Sequence, residues 1–199
     1  MTLVRHVARL HGVDRRWLLM LSGAWLIVVL AARFGLPQVD PDPVDRSHPF
    51  ETLSTFALLL PVMAQISALT IYAPWVESVR AVHIHSLQAT WLALQWCCGV
   101  LVITTLSLVA LPYGVDIIHA AGVWAFLFSI ASLAASARTE SSLRFSALAL
   151  FAVLSIMTLP GLLPWSANLL YNGETTSILW VLAAVLTAAA MALPVLRRQ

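Results

Sequence analysis

The sequence predicts an all-α, polytopic integral membrane protein with six transmembrane helices and both termini in the cytoplasm. Of its 199 residues, 60% are hydrophobic and 10% charged, against about 45–50% and about 25% in soluble domains. Mean hydropathy is +0.88. Six stretches, 17–32, 52–76, 81–115, 117–137, 145–173 and 175–196, carry no Asp, Glu, Lys or Arg. The 11 cationic residues are all arginine, and they fall unevenly between successive connections. So few charges cannot cover a water-soluble globule of this length, which excludes both a cytosolic enzyme and a nucleic-acid binder.

A hydrocarbon core of roughly 30 Å takes about 20 helical residues rising about 1.5 Å each. Five stretches meet that length directly. The first is interrupted by Arg33, followed by Phe34-Gly35-Leu36; it spans if the long guanidinium stem snorkels to the interface. The expected spans lie near 17–36, 52–72, 89–111, 117–137, 144–160 and 176–196. Apolar residues run all round each of them, as befits a surface shared by lipid and neighbouring helices. With no long linker, low-complexity tract or clear repeat, residues 1–199 are expected to form a single transmembrane domain.

Orientation follows from the arginines. Six crossings place Arg5, Arg9, Arg15, Arg16, Arg80, Arg138, Arg144, Arg197 and Arg198 on one side, leaving Arg33 and Arg46 for the other. The positive-inside rule assigns the first side to the cytoplasm of a plasma-membrane protein. Asp40, Asp42, Asp45, Glu51, Asp116 and Glu174 then face outward. Residues 1–16 are long for the n-region of a secretory signal, and Leu36-Pro37 offers no small-x-small cleavage site, so the first span is expected to be retained.

The pieces between spans are informative. Leu3, Val7, Leu10 and Trp17 recur at helical spacing, with Arg5, Arg9 and Arg16 roughly opposite. Residues 1–16 therefore read either as an amphipathic helix lying in the inner interface or as a flank that only sets topology. Residues 73–87 begin with a proline suited to a first helical turn; Trp75, Val76 and Val79 suit lipid or a partner, and Glu77 and Arg80 suit water. A short helix there would cross the cytoplasmic mouth between spans two and three. Residues 160–173, punctuated by Pro160, Gly161, Pro164 and Asn172, suit a packed re-entrant element, because non-helical backbone at membrane depth must be buried in protein.

Motifs for chemistry are missing. No H-E-x-x-H, G-x-S-x-G or G-x-x-x-x-G-K-[ST] occurs, so no catalytic residue or cofactor is assigned and the chain is not expected to be an enzyme by itself. Adjacent Cys97 and Cys98 point about 100° apart on a helix and read as small packing residues. A transmembrane haem needs axial histidines on different helices at matching depth. Among His6, His11, His48, His83, His85 and His119, only His119 falls within an expected span, and His83 and His85 at i,i+2 do not share a helical face. A haem- or metal-binding redox protein is thus the rival reading, with a non-transporting structural subunit as a third.

Ionisable groups inside spans are costly and often mark function. Asp116 and His119 share a face at i,i+3 near the outer boundary, with Arg33 expected at similar depth; the three suit either an external gate or a headgroup-level cluster. Gln65, Gln88 and Gln95 in or at the start of spans two and three suit interhelical hydrogen bonds or a polar path. Ala131/Ala135, Ser132/Ser136 and Ala184/Ala188 suit close helix packing. The eight tryptophans, including Trp17, Trp75, Trp165 and Trp180, suit an interfacial belt.

This layout resembles the type-2 permeases of ABC transporters (the ABC exporter class), in a small six-span actinobacterial-like subgroup. The local text adds two short stretches. Pro74-Trp75-Val76-Glu77 leads through Arg80 and a histidine-leucine segment into span three, and Pro164-Trp165-Ser166-Ala167-Asn168 precedes the last span. The loop holding Glu77 and Arg80 carries less charge than in many such permeases. The resemblance implies a separate ATP-binding cassette ATPase, since the sequence has no P-loop, and a coupling helix at Pro74, Trp75, Glu77 and Arg80. It also implies a second permease copy or a related permease to enclose the path. The nearly uncharged spans suggest a hydrophobic or amphipathic cargo such as a peptide antibiotic.

Overall fold

The computed structural model describes residues 15–34, 55, 57–70, 84–109, 116–137, 142–158, 168–170 and 172–196. These build an all-α polytopic membrane protein. Among the described residues its helices are α1 (Arg15–Phe34), α2 (Leu59–Thr70), α3 (Ile84–Val109), α4 (Ile117–Ala137), α5 (Ser142–Thr158) and α6 (Thr176–Leu196). A 3-10 turn, Gly173–Thr175, leads into α6. Arg15–Ala32, Thr90–Val109, Ile117–Ser136 and Gly173–Leu193 are long and apolar enough to cross a membrane, and Arg144–Met157 is a shorter apolar helix.

α4 and α6 occupy the limits expected from the charge-free stretches. The other ends shift because hydrogen-bond propagation along a helix does not stop where hydrocarbon does. α1 begins at Arg15, α5 runs from 142 to 158, and α3 begins at Ile84 instead of 89. Residues 84–87, expected to close a separate surface helix, are therefore the first turn of α3. At 26 residues, α3 extends about 39 Å, longer than a bilayer core requires. Helical backbone also appears at Thr55 and Ala57 ahead of α2. The expected interfacial helix at 1–16 falls almost wholly, and Pro74, Trp75, Glu77 and Arg80 wholly, outside the described residues.

α4 is the axis of the bundle. Of Ile117–Ser136, 78% of the residues are buried, against 28% of Arg15–Ala32, 28% of Thr90–Val109 and 17% of Gly173–Leu193. α6, α5, α3 and α2 all pack on it. Its sequence explains why: Ala120, Ala121, Gly122, Ala125 and Ala131 let neighbouring backbones approach, while Trp124, Phe126 and Phe128 fill the spaces between. Lipid tails are as apolar as leucine, so close packing and interhelical hydrogen bonds must hold such a bundle, without a hydrophobic drive between helices.

Named contacts fix helix directions. His119 Nδ1 meets Thr176 Oγ1 at 2.8 Å, and Ser129 Oγ meets Thr187 Oγ1 at 2.8 Å. Moving down α4 therefore moves down α6, and the two are parallel. α5 supplies the return. Near its start Ser146 Oγ donates to Ala131 O late in α4 (2.9 Å), and near its end Met157 O accepts from Asn168 Nδ2 (2.7 Å). Trp17 Nε1 in the first turn of α1 donates to Ala64 O midway along α2 (2.9 Å), tying those two helices together.

Some expected packing residues play other parts. Ala184 and Ala188 are exposed; α6 buries Leu179, Ala183 and Ala190 instead. On α4 Ala131 and Ser132 are buried as close packing requires, and the Ser132 and Ser136 hydroxyls return to Phe128 O and Ser132 O. Cys97 and Cys98 are exposed and pack nothing in the core. The tryptophans are also more internal than a belt: Trp17, Trp25, Trp91 and Trp124 are buried. Trp96 and Trp180 are half-buried, meeting edge to face at 5.9 Å. Inside the bundle, a large ring with one polar edge fills space and ties helices together.

Gly99 of α3 shows how closely α4 is gripped. A methyl group there would overlap Cζ2 and Cη2 of Trp124 and lie 2.6 Å from its Cε2. Trp124 is fully buried and stacks on Phe128 at 5.0 Å, so it has no room to yield. Gly99→Ala is expected to lower stability by about 1–3 kcal/mol, read as the thermal unfolding midpoint in detergent. Adding Gly99→Ala to Trp124→Leu should cost almost nothing further, whereas additive losses would contradict the contact.

Candidate functional site

Two polar places interrupt the apolar interior. The first lies where α4 begins. Asp116 Oδ1 accepts from the backbone N–H of Ile118 (2.9 Å) and His119 (3.1 Å), satisfying donors that a helix start leaves without intrahelical partners. His119 follows within that turn but is fully buried. Its Nε2 lies 2.9 Å from Leu170 O, and its Nδ1 lies 2.8 Å from Thr176 Oγ1. A carbonyl only accepts, so Nε2 carries the proton and donates to Leu170; in the neutral ring Nδ1 then accepts from the Thr176 hydroxyl. That hydroxyl is also 2.6 Å from Gly173 O and shares its proton between the two acceptors.

The 168–170 turn is held from both directions. Asn168 is buried, donates through Nδ2 to Met157 O and accepts at Oδ1 from Leu170 N (3.2 Å). Asn172 Oδ1 accepts from Glu174 N (3.0 Å), and Thr175 Oγ1 donates to Asn172 O (2.6 Å). Trp180 Nε1 closes the ring of contacts by donating to Ile118 O (3.2 Å). The result is a latch joining the end of α5, the turn and the starts of α4 and α6. Of the stretch 160–173, residues 168–170 and 172–173 are described: Asn168 and Leu170 are buried and Gly173 is exposed.

The sequence placed Asp116 and His119 on one face beside Arg33. The first two do share the opening turn of α4, but the His119 ring turns toward α6 and Leu170. Arg33 lies in the last turn of α1, and its side chain is outside the described residues. Leu170 and Thr176 were missed as partners of this histidine. Spacing rules reveal only neighbours three or four residues apart, and these partners lie 51 and 57 residues away. The one signal available was Asn168, a polar residue whose side chain holds the backbone of Leu170.

The second place lies between α2, α3 and α4. Gln65 Nε2 donates to the backbone carbonyl of Gln95 (3.3 Å), so the two glutamines do bridge helices, though side chain to backbone. Gln65 is 2% exposed and Gln95 6%. Gln88 lies in α3 near its start, its side chain outside the described residues. Trp124 reaches the same stretch of α3 at Gly99. Among the described residues, the buried atoms Gln65 Oε1, Trp96 Nε1 and Trp124 Nε1 have no hydrogen-bond partner. Such atoms are costly in a medium without water.

Among the described residues, no group of three or more His, Cys, Asp or Glu side chains is arranged to hold a metal ion. No family model, curated protein or solved structure matches the chain.

Interhelical hydrogen bonds inside membranes contribute about 0.6 kcal/mol each on average. His119→Ala removes two of them and leaves a cavity, so a loss of about 2–3 kcal/mol is expected. Thr176→Val should cost about 0.6 kcal/mol. Thermal unfolding in detergent checks the order; equal losses from both variants would contradict a latch centred on the histidine.

Proposed function

We propose that the chain is the transmembrane permease subunit of an ATP-driven ABC transporter. It exports, or gives immunity to, a hydrophobic or amphipathic compound such as a peptide antibiotic, while a separate ATP-binding cassette subunit hydrolyses ATP. It crosses the plasma membrane six times with both termini in the cytoplasm. A second copy, or a related permease, completes the path.

The observation that supports this reading most is the separation of charge along the bundle. Arg144 lies in the first turn of α5 and is exposed, while exposed Asp116 and Glu174 stand at the opposite end, where α4 and α6 begin. The parallel pairing of α4 with α6, with α5 returning between them, places these last two acids together. The positive-inside rule then turns the arginine end toward the cytoplasm. In this reading the connection between α2 and α3 lies on the cytoplasmic side. That is the side on which an ATPase would dock against Pro74, Trp75, Glu77 and Arg80. Coupling requires the ATPase to contact this segment differently in its two states, so that closure biases the bundle between inward and outward forms.

The redox alternative draws less support. His119, the histidine within α4, has both ring nitrogens engaged by Thr176 and Leu170, and an axial-ligand role would break one of these bonds.

An ATPase is expected to co-purify with the full chain in mild detergent, and Glu77→Arg should reduce its recovery roughly tenfold through charge reversal at the dock. Membrane insertion should be unchanged. Undiminished recovery with Glu77→Arg would remove the coupling segment, and failure of any ATPase to co-purify would remove the permease reading. His83→Ala with His85→Ala should leave transport largely intact; complete loss would restore a metal or redox role.

A further inference from the structure

Gln95 and Gly99 are the two ends of one backbone hydrogen bond. α3 is helical without a break over its 26 residues, so the Gly99 N–H donates to the Gln95 carbonyl four residues earlier. That carbonyl is taken a second time, by Gln65 Nε2 of α2 at 3.3 Å. Oε1 of the same carboxamide is buried and, among the described residues, has no partner. One acceptor thus holds two donors while the acceptor beside its second donor holds none. Gly99 is also the only glycine of α3, and glycine is the weakest helix former after proline. Sharp helix bends occur at glycines and where a side chain enters the hydrogen-bond ladder. Both causes fall here on one bond.

We propose that α3 is hinged at this bond, with the Gln65 carboxamide as the part that enters it. In the bent form the carboxamide lies between the two ends, donating from Nε2 to Gln95 O and accepting at Oε1 from the Gly99 N–H. Bending then loses no hydrogen bond, because Gln95 O gives up one of its two donors and Oε1 gains it. No water is needed, as a site within hydrocarbon requires. Trp124 of α4 supplies the fulcrum. It lies so close to Gly99 that a methyl group there would overlap its ring, and it is fully buried and stacked on Phe128. Widening the ladder on this face makes α3 convex toward α2 and α4, so its two halves swing outward about Trp124. They move toward the side that carries exposed Leu94, Leu101 and Leu108. The bend belongs to the chain alone and needs no ATPase. Only its role rests on the permease reading, where it lets the end of α3 that follows residues 71–83 move without shifting α4.

Two measurements on the full chain in nanodiscs test the hinge. Thr90 and Leu108 are both exposed and stand five turns apart on one face of α3, about 27 Å along a straight axis. Gln95 and Gly99 lie roughly 140° and 180° round from that face, so bending brings the two exposed positions closer. Spin labels at Thr90→Cys and Leu108→Cys, in a chain with Cys97→Ala and Cys98→Ala, are expected to give two distances by double electron–electron resonance, the second one shorter. The other measurement keeps the native cysteines. Cys98-Gly99 is the only Cys-Gly pair in the sequence, so labelling cysteine at its carbonyl carbon and glycine at its nitrogen isolates the Gly99 amide. That nitrogen should show relaxation dispersion from microsecond-to-millisecond exchange. Gln65→Met keeps the length of the side chain without an amide, and the shorter distance and the dispersion are both expected to vanish. If that variant does not fold, Gln65→Asn, whose amide is one methylene short, takes its place with the same expectation. A single distance or a flat Gly99 profile with Gln65 in place, or either signal persisting in the folded variant, overturns the hinge.

Discussion

α4 has little lipid surface of its own. Because α2, α3, α5 and α6 all lie against it, the position of each is set by what α4 presents: small residues where backbones close in, and Trp124 and Phe128 where they do not. In hydrocarbon no water can satisfy a stray polar group, and no hydrophobic drive pushes one apolar helix against another. Shape therefore has to do what solvent exclusion does in a soluble core. Gly99 against Trp124 is the tightest case. The parallel register of α4 and α6, written in His119 with Thr176 and Ser129 with Thr187, is the contact set on which the order of the bundle depends.

The polar atoms divide along the same axis. At the Asp116 end they are paired: a capping carboxylate, a histidine bonded through both nitrogens, and two asparagines that hold the turn before α6. Midway along α3 they are not, and Gln65 Oε1 and two indole N–H groups remain. Native structures leave a few buried polar atoms of this kind without a partner.

Much of the helical layout was legible in the residues. Charge-free stretches placed α4 at 117–137 and α6 at 176–196 because, for those helices, the charged or polar boundary and the helix end coincide. They did not coincide for α3, where His85 and Ser86 continue the helix past the apolar run, nor for α1, where Arg15 and Arg16 sit inside the first turn. Partners were harder to read. His119 looked like a companion of Asp116 because i,i+3 spacing is visible in a sequence, whereas Leu170 and Thr176 are brought to it only by α5 folding back. Ala184 and Ala188 carry the small-residue spacing but face outward, since spacing fixes a stripe and not the direction it faces. Trp17 and Trp124 likewise have the composition of interfacial anchors and the surroundings of core residues.

The parallel register of α4 and α6 is tested most directly by disulfide cross-linking in native membranes. Ser129→Cys with Thr187→Cys, in a chain whose Cys97 and Cys98 are replaced by alanine, brings two thiols to positions whose hydroxyl oxygens lie 2.8 Å apart. Copper-phenanthroline oxidation is predicted to cross-link this pair nearly completely, and Ser136→Cys with Ser177→Cys not at all. Cross-linking of the second pair in place of the first would mean that α6 runs against α4, and the bundle described above would be wrong.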